Sequence, residues 1–265
     1  MFPIGASYFS GCTIPFDEFL QLCADLKMDC IEIQSEPPFL RSDMSTTDIE
    51  SLQESLASFN FIPTIHAPLD DVNLSSLKEQ IRRASLELHM ESVDLANDLG
   101  ASILVIHAGV CPIDQIARLE DAQNRFKASL LELVYYAEPH DIVIAVENKQ
   151  KNIDREIILY AEEHIAIVEE YRDLGVRGCL DVGHANTVNA DFDKYIRGFG
   201  DLLVEVHLHD NDGTTDNHLS LGQGTLDFPE ISKLLGIISF RGPSILELKT
   251  REHLQESMKF IVERF

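Results

Sequence analysis

Eight short apolar runs, recurring about once per 33 residues, constrain this chain more than anything else in it. They fall at 2–6, 30–34, 61–66, 102–107, 142–147, 177–181, 202–208 and 243–248. Runs this short and this apolar suit strands buried on both faces. Between them lie stretches with helical periodicity: Phe16–Lys27, Thr47–Ser58, Ser75–Leu99, Gln115–Glu138, Asp154–Leu174, Phe228–Leu235 and Arg251–Phe265. Pro15 precedes the first of these, and Gly175 follows the fifth as a C-cap.

Strand, loop and helix in regular alternation imply a parallel sheet covered by helices. Eight such units in 265 residues, with no linker or composition break, predict one α/β domain over residues 1–265, a (β/α)8 TIM barrel. The alternative is an open doubly wound sheet. It lacks support because Gly5-Ala6-Ser7-Tyr8 stands where a glycine-rich phosphate loop would follow the first strand.

The barrel matters because it brings all strand ends to one rim. His66, His107, Glu147, Asp181, His207 and Glu247 each close one of the runs, from the third to the eighth, at intervals of about 26 to 41 residues. His184 follows Asp181 by three, and Asp216 and His218 lie in the loop after the seventh run. Together they make nine oxygen or nitrogen donors. Singly, each has a plain structural explanation: Asp181 as a helix N-cap, Asp216 and His218 as loop residues. Together they predict a metal site, because burying several unpaired carboxylates without a cation is costly. His209, two residues past His207, is read as a substrate contact or a support. His89, His140, His164 and His253 are assigned no role.

Composition narrows the functions. A core can be buried with 45% hydrophobic residues, and no apolar run approaches the ~20 residues of a membrane span. The N-terminus shows no signal-peptide pattern, and Cys12, Cys23, Cys30, Cys111 and Cys179 form no CxxC pair. These features predict a cytoplasmic protein with free thiols, Cys30 and Cys179 being core residues. The 45 acids against 21 bases give a formal charge of −24, which makes nucleic acid an unfavourable partner. Acidic rim segments Asp70-Asp71 and Asp210-Asn211-Asp212 add to this, and Arg41 is nearly alone as a basic candidate after the second run.

The segments Ile65-His66-Ala67-Pro68, Ile106-His107-Ala108-Gly109, Val146-Glu147-Asn148, Leu180-Asp181-Val182-Gly183-His184, Val206-His207-Leu208-His209-Asp210, Asp216-Asn217-His218-Leu219-Ser220-Leu221-Gly222-Gln223-Gly224 and Ile245-Leu246-Glu247 resemble the xylose isomerase-like TIM barrels. That superfamily holds sugar-phosphate isomerases and epimerases and the endonuclease IV-like AP endonucleases (AP endonuclease family 2). In its isomerase branch, the resemblance implies one manganese- or magnesium-like ion on Glu147, Asp181, His207 and Glu247. In its endonuclease branch, it implies three zinc ions on all nine donors. Two departures are visible. Ala67-Pro68-Leu69 replaces the aromatic that follows the first histidine in the endonucleases. Gly213 stands where ketose 3-epimerases carry an arginine six residues after the strand-seven histidine.

The expectation is a divalent-metal enzyme, with one to three zinc or manganese ions, that isomerises or epimerises a small sugar, sugar phosphate or keto-polyol. Glu147 and Glu247 would exchange the proton and His184 would orient a substrate oxygen or hold a second metal. Lys149, two residues past Glu147, reads first as a surface lysine and second as a partner for a substrate anion. A homo-oligomer is compatible with this. A zinc phosphodiesterase of the endonuclease IV type, and a non-catalytic metal- or sugar-binding protein, are the alternatives.

Overall fold

The computed structural model describes residues 2–264. Met1, and Phe265 at the end of the last expected helix, lie outside the described residues. The strands are β1 (Ile4–Tyr8), β2 (Cys30–Gln34), β3 (Ile62–His66), β4 (Ile103–His107), β5 (Val110–Cys111), β6 (Val143–Glu147), β7 (Arg155–Glu156), β8 (Arg177–Asp181), β9 (Leu203–Leu208) and β10 (Ser244–Leu246). Eight of them close into a parallel barrel in the order β1-β10-β9-β8-β6-β4-β3-β2, while β5 and β7 form a small antiparallel pair on the rim. The (β/α)8 expectation holds, and the open sheet does not occur.

The helices are α1 (Phe16–Asp25), α2 (Thr46–Ser58), α3 (Glu79–Leu99), α4 (Leu119–Ala137), α5 (Ala161–Glu170), α6 (Val182–Asn186), α7 (Phe192–Phe199), α8 (Phe228–Ile237) and α9 (Arg251–Arg264). Ser45 caps α2 in a reciprocal box with Asp48. Two expectations need correction. Residues 154–160 are not helix: Arg155–Glu156 pairs with Val110–Cys111, and α5 starts only after Tyr160, whose backbone N–H donates to Glu163. Gly175, in the left-handed region at φ 86°, ends the 3-10 turn after α5 rather than α5 itself. The sequence reading also lacked a helix between the sixth and seventh runs, where Asp191 caps the short α7.

Strand alternation sorts the side chains into two layers. Leu104, Ile106, Ile144, Val146, Leu180, Val206 and Leu208 join the large core between sheet and helices. Val105, Ala145 and Cys179 form a separate cluster of their own. That second cluster is the barrel interior, and small residues suit its narrow bore. One step further along the same face come His107, Glu147 and Asp181. The chemistry-bearing residues are thus the top layer of the barrel interior, at the C-terminal ends of the strands. No helix among the described residues is long and apolar enough to cross a membrane.

Candidate metal centre

Seven of the nine expected donors line one pocket, and Asp181 and His207 lie buried against them. The barrel register sets His107 beside Glu147 and Asp181 beside His207. Glu147 Oε2 lies 3.0 Å from His66 Nε2 and 2.8 Å from His107 Nε2. Its other oxygen is 3.2 Å from His184 Nδ1 and 3.5 Å from His207 Nδ1. Glu247 Oε1 reaches His207 Nδ1 at 3.1 Å. Asp216 Oδ2 lies 3.4 Å from His184 Nε2 and 3.3 Å from His218 Nε2.

Local structure aims these groups. Asp181 ends β8 and caps α6, accepting from the His184 N–H at 2.6 Å, so its expected capping role and its place in the site coexist. His218 sits in the left-handed region at φ 51° and stacks on His209 with centroids 4.1 Å apart. Asp210 was expected as part of an acidic rim. It is instead buried, and its carboxylate accepts from the backbone N–H groups of Asn211, Gly222, Gly224 and Leu226, holding the loop that carries Asp216 and His218. Arg41 is not free for a phosphate either, since it pairs with Asp98 at 2.6 Å.

Three histidines have the same arrangement. A carbonyl can only accept, so the Nδ1–H of His66 donates to Ala67 (2.7 Å), that of His184 to Asn148 (2.9 Å) and that of His218 to Glu247 (2.7 Å). In the neutral ring Nε2 is then a lone pair, and in each case it faces a carboxylate oxygen of Glu147 or Asp216. Two acceptors cannot stand at such distances with nothing between them. Either each ring is protonated or a cation lies between ring and carboxylate. Rings fixed at one nitrogen by a backbone carbonyl are the usual form of metal-binding histidine.

The unpartnered atoms point the same way. Glu147 Oε1, Asp181 Oδ2, Asp216 Oδ1 and both ring nitrogens of His207 and of His209 are buried without a hydrogen-bond partner. Donor atoms of His66, His107 and Glu147 lie within 4.8 Å of one another, as do those of Asp181, His184 and His209, and those of His209, His218 and Glu247. A donor set of imidazoles and carboxylates at this density fits zinc or manganese.

Electrostatics reflect the crowding. Burial alone would raise the Glu147 carboxyl, but the His107 and His207 rings, with the hydrogen bond from His107, hold it well below the usual range. Glu247 is likewise pushed up by burial and brought down further by His207. His66 and His107 share one oxygen yet shift oppositely. Burial disfavours charge on both; Glu147 and Glu32 raise His66, whereas Lys149 beside His107 leaves it at about 3.

Two features were missed in the sequence. His209, left undecided there, has Nε2 at 3.2 Å from Asp181 Oδ1 and 3.3 Å from Asp216 Oδ1, inside the donor set. Beneath the pocket, Glu32 and Glu205 are fully buried, with Glu32 Oε2 3.2 Å and Glu205 Oε1 3.7 Å from His207 Nε2. Burial and the Glu32 charge push the Glu205 carboxyl up to about 7. His207 therefore bridges two layers, with Nδ1 toward Glu147 and Glu247 and Nε2 toward the deeper pair. The signal for both features was strand alternation, which puts 205, 207 and 209 on one face.

Known proteins share this architecture. The protein MJ1311 of Methanocaldococcus jannaschii is 29% identical over 83% of this chain and 78% of its own length. A fructoselysine 3-epimerase of Shigella flexneri is 26% identical over 89% of this chain and 86% of its own. A probable endonuclease 4 of Mycobacterium leprae is 25% identical over 76% and 77%. A crystal structure of a D-tagatose 3-epimerase-like protein superposes with a TM-score of 0.86 at 24% identity, covering 98% of this chain and 96% of that one. The model of the xylose isomerase-like TIM barrel matches residues 20–264. With nearly the whole chain matched and the barrel closed in the expected order, this chain belongs to the xylose isomerase-like TIM barrel family.

Proposed function

We propose that this chain is a divalent-metal-dependent sugar isomerase or epimerase that moves a proton on the carbon beside a carbonyl. The observation that carries the reading is the pair Glu147 and Glu247. They come from strand ends three places apart round the barrel, and both line one cavity of about 150 Å3. That space suits a small polyol. Neighbouring histidines favour the ionised form of both carboxyls, the state a general base needs.

Glu147, Asp181 and Glu247, with His207 or His209, would hold the first ion, and His66, His107, His184, Asp216 and His218 offer places for others. Bound there, zinc or manganese supplies a Lewis acid that polarises the substrate carbonyl. One glutamate removes the proton from the carbon beside it; the other returns a proton to that carbon or its neighbour. Where no second ion takes it, His184 Nε2 orients a substrate oxygen, since its Nδ1–H is already committed to Asn148. Ser7 and Gln34 add hydrogen-bonding groups to the wall, and Phe9, stacked on His218 at 5.6 Å, shields one side from water.

The fructoselysine 3-epimerase relative supports this reading. A zinc phosphodiesterase is the second reading, favoured by a donor set larger than one ion needs and by the mycobacterial relative. The charge of −24 and the pairing of Arg41 with Asp98 weigh against a polyanionic duplex. The test is removal and restoration of metal. Stripped protein should be inactive on ketoses and ketose phosphates, and manganese or zinc should restore epimer formation. Activity that survives complete removal of metal, verified by elemental analysis, would refute the proposal.

A further inference from the structure

Lys149 is the one Lys or Arg side chain lining this pocket among the described residues. It also lines a neighbouring hollow of about 160 Å3, which shares Leu69 and His107 with the first. Its place is fixed. The Lys149 N–H donates to Ile158 at 3.0 Å, the Ile157 N–H donates to Gly109 at 3.0 Å, and β5 pairs with β7. The loops after β4 and β6 are thereby laced together around it.

The side chain is half-buried, yet no carboxylate oxygen lies within 4.0 Å of its ammonium among the described residues. Glu156 in the second hollow is occupied by Asn152 Nδ2 at 2.9 Å. Elsewhere this acid-rich chain pairs several of its buried and half-buried cations, Arg82 with Glu79, Arg41 with Asp98 and Arg155 with Glu163, while Arg177 donates to backbone carbonyls instead; Lys149 differs in lining the pocket. A partly desolvated ammonium without a partner, set on the wall between two hollows, is a binding group for an anion.

We infer that Lys149 anchors an anionic group of the substrate, so that the sugar taken by this site is a sugar phosphate or a sugar acid. The inference rests on the epimerase reading and narrows it. The reacting carbons would lie among Glu147, Glu247 and His184, and the anionic end would lie toward Leu69 and the second hollow.

Calorimetry on the zinc-loaded full chain tests it with three inert probes: xylitol, xylitol 5-phosphate and xylonate. Metal binds anions too, so wild type is compared with Lys149→Met, and with Lys149→Arg, which keeps the charge. At least one anionic probe should bind wild type about tenfold or more tighter than xylitol. Lys149→Met should abolish that advantage without changing the affinity for xylitol, and Lys149→Arg should keep part of it. The anion with the larger advantage identifies phosphate or carboxylate as the natural group. Equal affinities in wild type, or an advantage that survives in Lys149→Met, would overturn the role of Lys149 while leaving the sugar reading intact. Binding of none of the three by wild type would overturn both.

Discussion

On the proposed reading, the side chains of this pocket serve a cation before they serve a substrate. His66, His184 and His218 each spend one nitrogen on a backbone carbonyl and turn the other toward Glu147 or Asp216. Replacing Glu147 or Glu247 by Gln keeps size and removes the base. Turnover should fall by at least about a hundredfold, the scale of lost acid–base catalysis, with the circular dichroism spectrum unchanged. Wild-type rates in either variant would refute the assignment. His209→Ala should weaken zinc binding by at least about tenfold in a competition titration, as much as is lost when groups that only orient ligands are removed. Unchanged affinity would return His209 to a substrate or structural role. The nine donors could be read in the sequence because each ends a run or follows one at short range. His209 could not be settled, because alternation gives it the same face as His207 and says nothing of depth. Glu32 and Glu205 escaped notice because an acid within an apolar strand looks like a surface residue until the barrel closes over it.

Strands were the most legible elements, since barrel burial leaves each as a compact apolar run. Two ran to the expected residues, β2 and β8, and β10 is shorter than its run because the chain leaves the barrel before Glu247. The stretch before α5 was misread because its pairing partner, Val110–Cys111, is remote in sequence, and α7 is too short to show a clear period. Glycine at 183 has a role that only the fold reveals. A Cβ there would lie 2.0 Å from His209 Cε1. Gly183→Ala should displace that ring, lowering metal affinity while the protein still folds, as thermal unfolding and a zinc titration would show. Normal affinity would mean that the turn adjusts freely. His164, assigned no role from sequence, joins α5 to the barrel. Its ring bonds the Val146 carbonyl at 2.7 Å and the Tyr195 hydroxyl at 2.8 Å, fixing the residue before Glu147. His164→Phe leaves both partners unpaired in the core and should cost about 2–4 kcal/mol in urea denaturation; a loss under about 0.5 kcal/mol would contradict this.

Outside the pocket, two buried histidines resist protonation. Burial holds His89 and His164 each at about 4. In the unfolded chain they bind protons near 6.5, so the folded state is the one that resists protonation. Their contribution to stability is complete above about pH 6.5 and is lost as the pH falls from there toward 4, up to about 3 kcal/mol for each. In metal-free protein, His89→Gln should therefore lose less stability, or gain more, than wild type as the pH falls from 7 to 5. Equal pH slopes for the two would contradict the account. The central claim, proton transfer beside a carbonyl, is tested most directly in deuterated water. Manganese- or zinc-loaded protein is incubated with a panel of ketoses, ketose phosphates and keto sugar acids, and the substrate carbons are followed by proton NMR. The account predicts solvent deuterium on a carbon adjoining the carbonyl, appearing with the epimer or isomer and absent with Glu147→Gln. Turnover of a sugar with no deuterium entering that carbon would contradict it.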